Sequence, residues 1–282
     1  MKHRQTLLFL SFIVLAGCTK VKYYPDRPVT FDRTRFIAHR AGGHGDYREN
    51  TLEAAIGGFS VLDGIETDIQ ISRDKTIWMS HSETPEPCDN PDGKCFEALT
   101  DDQISQIDTC LGPGEQYSRL NDVFRYMEQH HDTSYISLDV KAWKPCDLSF
   151  PNTLQSLNKL GDEIIRLVKT HHLQNHVMVE SETASFLRHI KRNSTGIICY
   201  LTTFGDFDRG MGIALEYGLD GLSFEYKFKD DITAGEVNLL HKKGLRIQVW
   251  TVDEPQYLKE AFSIGVDFIQ TDELNAPEVV KE

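Results

Sequence analysis

The fold is decided near the end of the chain, in the stretch Leu245-Arg246-Ile247-Gln248-Val249-Trp250-Thr251-Val252-Asp253-Glu254-Pro255-Gln256-Tyr257-Leu258-Lys259-Glu260-Ala261-Phe262-Ser263-Ile264-Gly265-Val266-Asp267-Phe268-Ile269-Gln270-Thr271. Arg246–Val252 and Phe268–Thr271 are short apolar runs that read as strands, with a helical pattern over Pro255–Ile264 between them. Gly265 sits just past the helix end, where a left-handed residue stops it. The same unit repeats backwards along the chain. Strands are expected at Phe36–His39, Ile65–Ile71, Tyr135–Lys141, Val177–Glu180, Ile197–Leu201 and Gly221–Tyr226. Helices are expected at Thr153–His171, Ala184–Lys191, Asp208–Tyr217 and Thr233–Lys243, with Gly218 and Gly244 as stops. Eight strands with helical crossovers in roughly 240 residues predict a single α/β domain, a closed (β/α)8 TIM barrel, in preference to an open doubly wound sheet. No glycine-rich dinucleotide or phosphate-loop fingerprint follows any strand.

One stretch interrupts the rhythm. After a short extra strand at Ile77–Ser80, ending at His81, residues 82–118 are rich in Pro and Gly and hold Cys88, Cys95 and Cys110. This is expected to be an insertion over one barrel face, stapled by disulfides. Cys88–Cys95 and Cys110–Cys146 are the favoured pairings among the three that four cysteines allow. A zinc site is the rival, disfavoured by the lack of a CxxC spacing. Cys199, in an apolar run, is expected to be a free core thiol.

At the start of the chain, Lys2, His3 and Arg4 precede the apolar run Leu7–Ala16, too short to cross a bilayer. Such a start reads as a secretory signal. The junction Leu15-Ala16-Gly17-Cys18 resembles a bacterial lipobox, which implies cleavage before Cys18 and lipid attachment to its thiol. Residues 1–17 would then be the signal peptide, 18–34 a lipidated tether, and 35–282 the barrel domain. The expected location is the cell envelope, membrane-anchored through Cys18. Thr19, in place of an aspartate, leans towards the outer membrane, facing the periplasm.

The chain carries 30 Lys and Arg against 43 Asp and Glu, a net charge of −13. That balance excludes general nucleic-acid binding, which needs a basic surface. An anionic substrate would have to be held by local cations.

Functional groups of a barrel enzyme lie at the C-terminal ends of its strands. Here those ends carry His39 and Arg40, Glu66 and Asp68, His81, Asp139 and Lys141, and Trp250. Residues two apart on a strand share a face. Glu66 therefore points with Asp68, and Asp139 with Lys141. Three carboxylates together repel unless a cation sits among them. Glu66, Asp68 and Asp139 make an all-oxygen site suited to Ca²⁺ or Mg²⁺. Phosphodiester hydrolysis needs this inventory: a metal ion, Arg40 and Lys141 to neutralise the phosphoryl group, and His39 and His81 to move the two protons. His130-His131 and His171-His172 are expected to be solvated at helix ends, and His44 has no assigned role.

The ordered set of motifs resembles the glycerophosphodiester phosphodiesterase family. Its residues here are Ala38-His39-Arg40-Ala41-Gly42-Gly43, Glu49-Asn50-Thr51, Glu66-Thr67-Asp68, Met79-Ser80-His81, Leu138-Asp139-Val140-Lys141, Val249-Trp250-Thr251-Val252 and Gly265–Asp272. The resemblance implies a (β/α)8 barrel and metal-dependent hydrolysis of glycerophosphodiesters to glycerol 3-phosphate and an alcohol. His39 and His81 would be the acid–base pair. Glu66, Asp68 and Asp139 would hold the metal, and Arg40 and Lys141 would meet the phosphate. Glu49 would buttress Arg40 or the metal shell, and Trp250 would line the glycerol side. Asp139 stands where Glu is usual, Ser82 follows His81 in place of Asp, and Ala41 replaces a Gly. The alternatives are a phospholipase D- or C-like enzyme acting on lysophospholipids, and a non-catalytic lipoprotein that captures phosphodiesters.

Overall fold

The structure, a computed structural model, describes residues 24–85, 93–107, 116–141, 150–227 and 231–281. The strands are β1 (Arg35–Ala38), β2 (Gly64–Ile71), β3 (Ile77–Met79), β4 (Tyr135–Asp139), β5 (Val177–Ser181), β6 (Ile198–Thr203), β7 (Gly221–Glu225), β8 (Arg246–Trp250) and β9 (Phe268–Thr271). All but β3 are parallel, and β1 pairs with both β2 and β9, closing an eight-stranded barrel. The helices of at least eight residues are α1 (Leu52–Val61), α3 (Leu120–His130), α4 (Phe150–Thr170), α5 (Ala184–Asn193), α6 (Phe207–Tyr217), α7 (Ala234–Lys243) and α8 (Pro255–Ser263). The short α2 (Asp101–Ser105) precedes α3, and α9 (Ala276–Val279) ends the chain. The barrel is therefore as expected, with α1 and α3 supplying crossovers that the repeat pattern alone left unnamed.

Alternation along each strand builds the barrel in layers. Outward residues such as Ile65, Ile136, Leu138, Val179, Leu222, Ile247 and Ile269 form one apolar core with the helices. The inward set changes character from bottom to top. Ile37, Met178, Tyr200 and Phe268 plug the bottom of the barrel. Two residues further along β4, β5, β7, β8 and β9 come Ser137, Glu180, Ser223, Gln248 and Gln270, all buried. Glycine makes room for the plug: a Cβ at Gly64 would lie 2.2 Å from the Tyr135 carbonyl oxygen, and one at Gly221 2.2 Å from that of Arg246.

β3 folds back antiparallel on the upper end of β2, with Met79 opposite Ile69. The described part of the segment beyond it forms a second small core of Trp78, Phe96, Leu99, Ile104, Ile107 and Tyr117. Asp101 ties this core to the hairpin by accepting from Ser72 Oγ (2.6 Å) and Trp78 Nε1 (3.1 Å). Cys88, Cys110 and Cys146 lie outside the described residues, and with them both expected pairings. Cys199 is free and buried, as expected, and burial pushes its thiol well up. His171 departs from expectation. It is buried at the end of α4, with Nδ1 2.7 Å from Glu128 Oε2 and Nε2 3.0 Å from Asn121 Oδ1.

The segment before β1 is strapped across the barrel bottom, where the helix-to-strand turns lie. Arg27 N donates to the Lys242 carbonyl (3.0 Å) and Val29 N to that of His241 (2.9 Å). Lys243 Nζ reaches the Tyr24 carbonyl (2.9 Å), and Thr34 Oγ1 the Val266 carbonyl (2.7 Å).

Candidate active site

The inward row that begins with the apolar plug ends, at the C-terminal rim, in charge. Parallel register sets Asp68 of β2 beside Asp139 of β4, and Asp139 beside Glu180 of β5. Glu66, one inward step below Asp68, is 2% exposed, as is Asp68. Oxygen atoms of Glu66, Asp68 and Asp139 lie within 4.8 Å of one another. Burial, then the charges of Asp68, Asp139 and Glu180, push Glu66 far above the usual carboxylate range. Burial and Glu180 likewise push Asp139 up to about 7, against the opposing pull of Lys141. Carboxylates crowded to this degree, with oxygen donors only, fit a hard divalent cation.

The turn after β1 delivers the first histidine and arginine. Arg40 and Ala41 both take left-handed backbone, at φ +49° and +73°. The family resemblance puts glycine at the position of Ala41, and this φ is why. The turn lets Arg40 N donate to Glu66 Oε2 (2.8 Å) while its Nη1 reaches both oxygens of Glu49 (3.1 Å each). Glu49 thus buttresses the guanidinium and not the carboxylate triad. His39 Nδ1 donates to Asp272 Oδ1 (2.9 Å), and its Nε2 lies 3.9 Å from Glu66 Oε2. Burial alone would raise Asp272, but the hydrogen bond and charge of His39 outweigh it and leave the carboxyl lowered.

His81 arrives from the opposite direction. Because β3 runs antiparallel to β2, Ser80 N donates to the Asp68 carbonyl (3.0 Å), and the next residue returns to the level of the carboxylates. Burial lowers the His81 pKa and, together with the cations Arg40 and Lys141, outweighs the opposing charges of Asp68 and Glu49. Lys141 Nζ lies 3.1 Å from Asp68 Oδ1 and is hydrogen-bonded to Asp139. Burial works against its charge, but Asp139 and Asp68 prevail and hold the ammonium well above its ordinary range.

His39, Arg40, Glu66, Asp68, His81, Asp139, Lys141 and Trp250 share one cavity of about 290 Å³. Trp250 stands edge-on to Phe204, with ring centroids 5.8 Å apart, and Phe204 is 58% exposed at the mouth. The buried donors Arg40 Nε and Trp250 Nε1 have no hydrogen-bond partner among the described residues, which suits a polar, anionic ligand.

Three further residues belong to the site and were not singled out from sequence. Asp272 orients His39. Asn50 holds Asp68, donating from Nδ2 to its Oδ2 (3.1 Å) and accepting from its backbone N (3.1 Å). Glu180 lies under the triad. The first two stand in motifs quoted above, Glu49-Asn50-Thr51 and the Thr271-Asp272 ending; nothing in sequence marked Glu180.

Comparison with known proteins agrees with this geometry. The model of the glycerophosphoryl diester phosphodiesterase family matches residues 39–276. The chain is 24% identical over 245 residues to a glycerophosphodiester phosphodiesterase of Caldanaerobacter subterraneus, covering 86% of this chain and 95% of that one. A glycerophosphodiester phosphodiesterase of Parabacteroides distasonis superposes with a TM-score of 0.70 at 19% identity, covering 89% of this chain and 97% of that one. A phosphodiesterase of Oleispira antarctica, solved with the product sn-glycerol-3-phosphate, superposes with a TM-score of 0.71 at 16% identity, covering 89% and 98%. The chain belongs to the glycerophosphoryl diester phosphodiesterase family.

Proposed function

We propose that this protein is a divalent-cation-dependent hydrolase that splits glycerophosphodiesters into glycerol 3-phosphate and an alcohol. One observation carries the reading: a cluster of three carboxylates, two histidines, an arginine and a lysine face a single cavity. Glu66, Asp68 and Asp139 would hold Ca²⁺ or Mg²⁺, which supplies positive charge and Lewis acidity for a phosphodiester anion. Arg40, braced by Glu49, and Lys141 bring the remaining cations to the phosphoryl oxygens. His39 enters with its Nδ1 proton held by Asp272 and its Nε2 turned towards Glu66. His81 enters from a different strand. Between them they take a proton from the attacking water and give one to the leaving alkoxide, so the diester and one water become a monoester and an alcohol. Trp250 lines the glycerol side. The product bound in the Oleispira structure is the one this scheme releases.

The lipobox at Cys18 supports a lipid-anchored protein of the cell envelope, in the outer membrane and facing the periplasm. The strap bears on what it acts on. Tyr24 lies six residues on from Cys18, a reach of about 20 Å at most, and it is tied to the barrel bottom. The cavity opens at the other end. That arrangement favours water-soluble diesters over lysophospholipids drawn from the anchoring membrane.

A panel of glycerophosphodiesters with and without Ca²⁺ or Mg²⁺ tests the proposal. Release of glycerol 3-phosphate that excess chelator abolishes is expected. Choline together with a lysophosphatidate-type or cyclic product would replace the reading with the phospholipase one, and binding without turnover would replace it with a capture function.

A further inference from the structure

We propose that Glu182, with Thr202 and Trp250, holds two free hydroxyls on the substrate's glycerol and so restricts the site to diesters that carry no acyl chain. The inference rests on the hydrolytic reading above and narrows the class of substrate it acts on.

The cavity has two unlike sides. Arg40, His81 and Lys141 line it after β1, β3 and β4, and the phosphoryl group belongs with them. From β5 round to β9 its described lining carries no cation, which leaves that side for an uncharged polar part of the substrate. Glu182 stands there just past β5, with Thr202 on β6 and Trp250 at the end of β8. Glu182 is exposed, and its carboxyl group makes no hydrogen bond or ion pair with any described residue. Trp250 Nε1 and Thr202 Oγ1 are buried and also lack a partner among the described residues. Together they offer two acceptor oxygens, one nitrogen that only donates, and one hydroxyl that does either.

A glycerol with both hydroxyls free answers that whole set. Each hydroxyl gives its proton to Glu182 and accepts from Trp250 or Thr202. Other occupants answer less of it. A quaternary ammonium suits Glu182 but has no lone pair for the Trp250 N–H. An ester oxygen in place of a hydroxyl has no proton for Glu182. Phe204 controls the approach, because it lies two residues beyond Thr202 and edge-on to Trp250. Glu182, Thr202 and Phe204 also line a second cavity of about 340 Å³, which gives the exposed Phe204 ring room to turn aside and uncover the two buried atoms. That second space, walled by Leu201 and Ile213, is where an acyl chain would have to go.

The test compares kcat/KM, at saturating Ca²⁺ or Mg²⁺, on three esters. They are glycerophosphocholine, propyl phosphocholine (the same three-carbon chain without hydroxyls) and a short-chain, water-soluble lysophosphatidylcholine. Wild type is expected to prefer the first over the other two by roughly 100- to 1000-fold, since a site that pairs a substrate hydroxyl rejects analogues lacking it. Glu182→Ala is expected to shrink that preference about 10- to 100-fold and Thr202→Val about 3- to 10-fold. Glu182→Gln keeps one acceptor oxygen and should restore part of it. Calorimetric binding of sn-glycerol 3-phosphate against propyl phosphate is expected to show the same dependence on Glu182. Equal turnover of propyl phosphocholine, or an unchanged preference in Glu182→Ala, overturns the inference. So does lysophosphatidylcholine turned over as well as glycerophosphocholine, which would assign the second cavity to its acyl chain. If no ester is split but glycerol 3-phosphate still binds in preference to propyl phosphate through Glu182, the inference stands and the hydrolytic reading falls.

Discussion

Asp272, just beyond β9, accepts the Nδ1 proton of His39, just beyond β1, at 2.9 Å across the seam where the barrel closes. The bond fixes which nitrogen of His39 faces the cavity, and Asp272 is itself held by Asp253, whose Oδ1 accepts from its backbone N (2.7 Å). Asp272→Asn would keep the shape but offer Nδ1 an amide that can equally donate, releasing the ring from its tautomer. A drop in kcat of about 10- to 1000-fold with KM nearly unchanged is expected, within the range for a disturbed acid–base residue. Steady-state kinetics on a glycerophosphodiester decide it, and wild-type kcat in the variant would remove Asp272 from the mechanism.

The carboxylates predict a pH signature for the cation-free protein. Asp139 is pushed up to about 7, whereas an unfolded aspartate titrates near about 3.9. Between those values the folded chain holds a proton that the unfolded chain has released, so stability falls as pH rises through the window. Asp139→Asn removes the titration. Wild type is expected to lose Tm relative to this variant between about pH 5 and 7, and saturating Ca²⁺ or Mg²⁺ should abolish the loss by favouring the ionised form. A pH-independent difference in Tm would contradict the assignment.

Much of this site could be read before any coordinates, because strand geometry is simple. Residues two apart share a face, so Glu66 with Asp68 and Asp139 with Lys141 were bound to meet once the rhythm gave a barrel. His81 was legible only as a strand end; that its strand is antiparallel, and so returns it to Asp68, is a matter of pairing. Glu180 was hidden for a related reason. It closes the apolar run Val177-Met178-Val179, and only the register with Asp139, together with donors from three other strands, separates it from an ordinary solvated strand end. Long-range register has no local signature, and the residues missed are those that depend on it.

Asn50 offers a test of the support beneath the ligands. Its side chain spans Asp68 Oδ2, Asp68 N and Thr67 Oγ1, the last at 2.7 Å, and its own backbone is left-handed at φ +56°. Asn50→Ala would leave three buried groups without their partner and put alanine where asparagine is better tolerated. A loss of about 2–4 kcal/mol in unfolding free energy is expected from those two costs together, with weaker cation binding because Asp68 is no longer held. Urea unfolding and cation titration on one preparation measure both, and a loss below about 0.5 kcal/mol, the level of an inert surface change, would show the network to be dispensable.

The strap makes the last prediction, about substrate access. Arg27 and Val29 bind the last turn of α7, and Phe31 stacks on His241 with centroids 5.7 Å apart, so the chain leaves the barrel at the end opposite the cavity. An anchor at Cys18, about 20 Å of chain beyond Tyr24, would hold the barrel bottom to the bilayer and turn the cavity towards water. Lipidated protein on vesicles should therefore hydrolyse soluble glycerophosphocholine as fast as the unlipidated form does. It should show no gain in rate on lysophosphatidylcholine placed in the same bilayer. Lengthening the segment between Cys18 and Tyr24 with a flexible insert of some twenty residues, whose root-mean-square span is roughly 25 Å, should leave the first rate unchanged. Preferential turnover of lysophosphatidylcholine in the anchoring bilayer would mean that the cavity faces the membrane, and that the strap does not set the orientation.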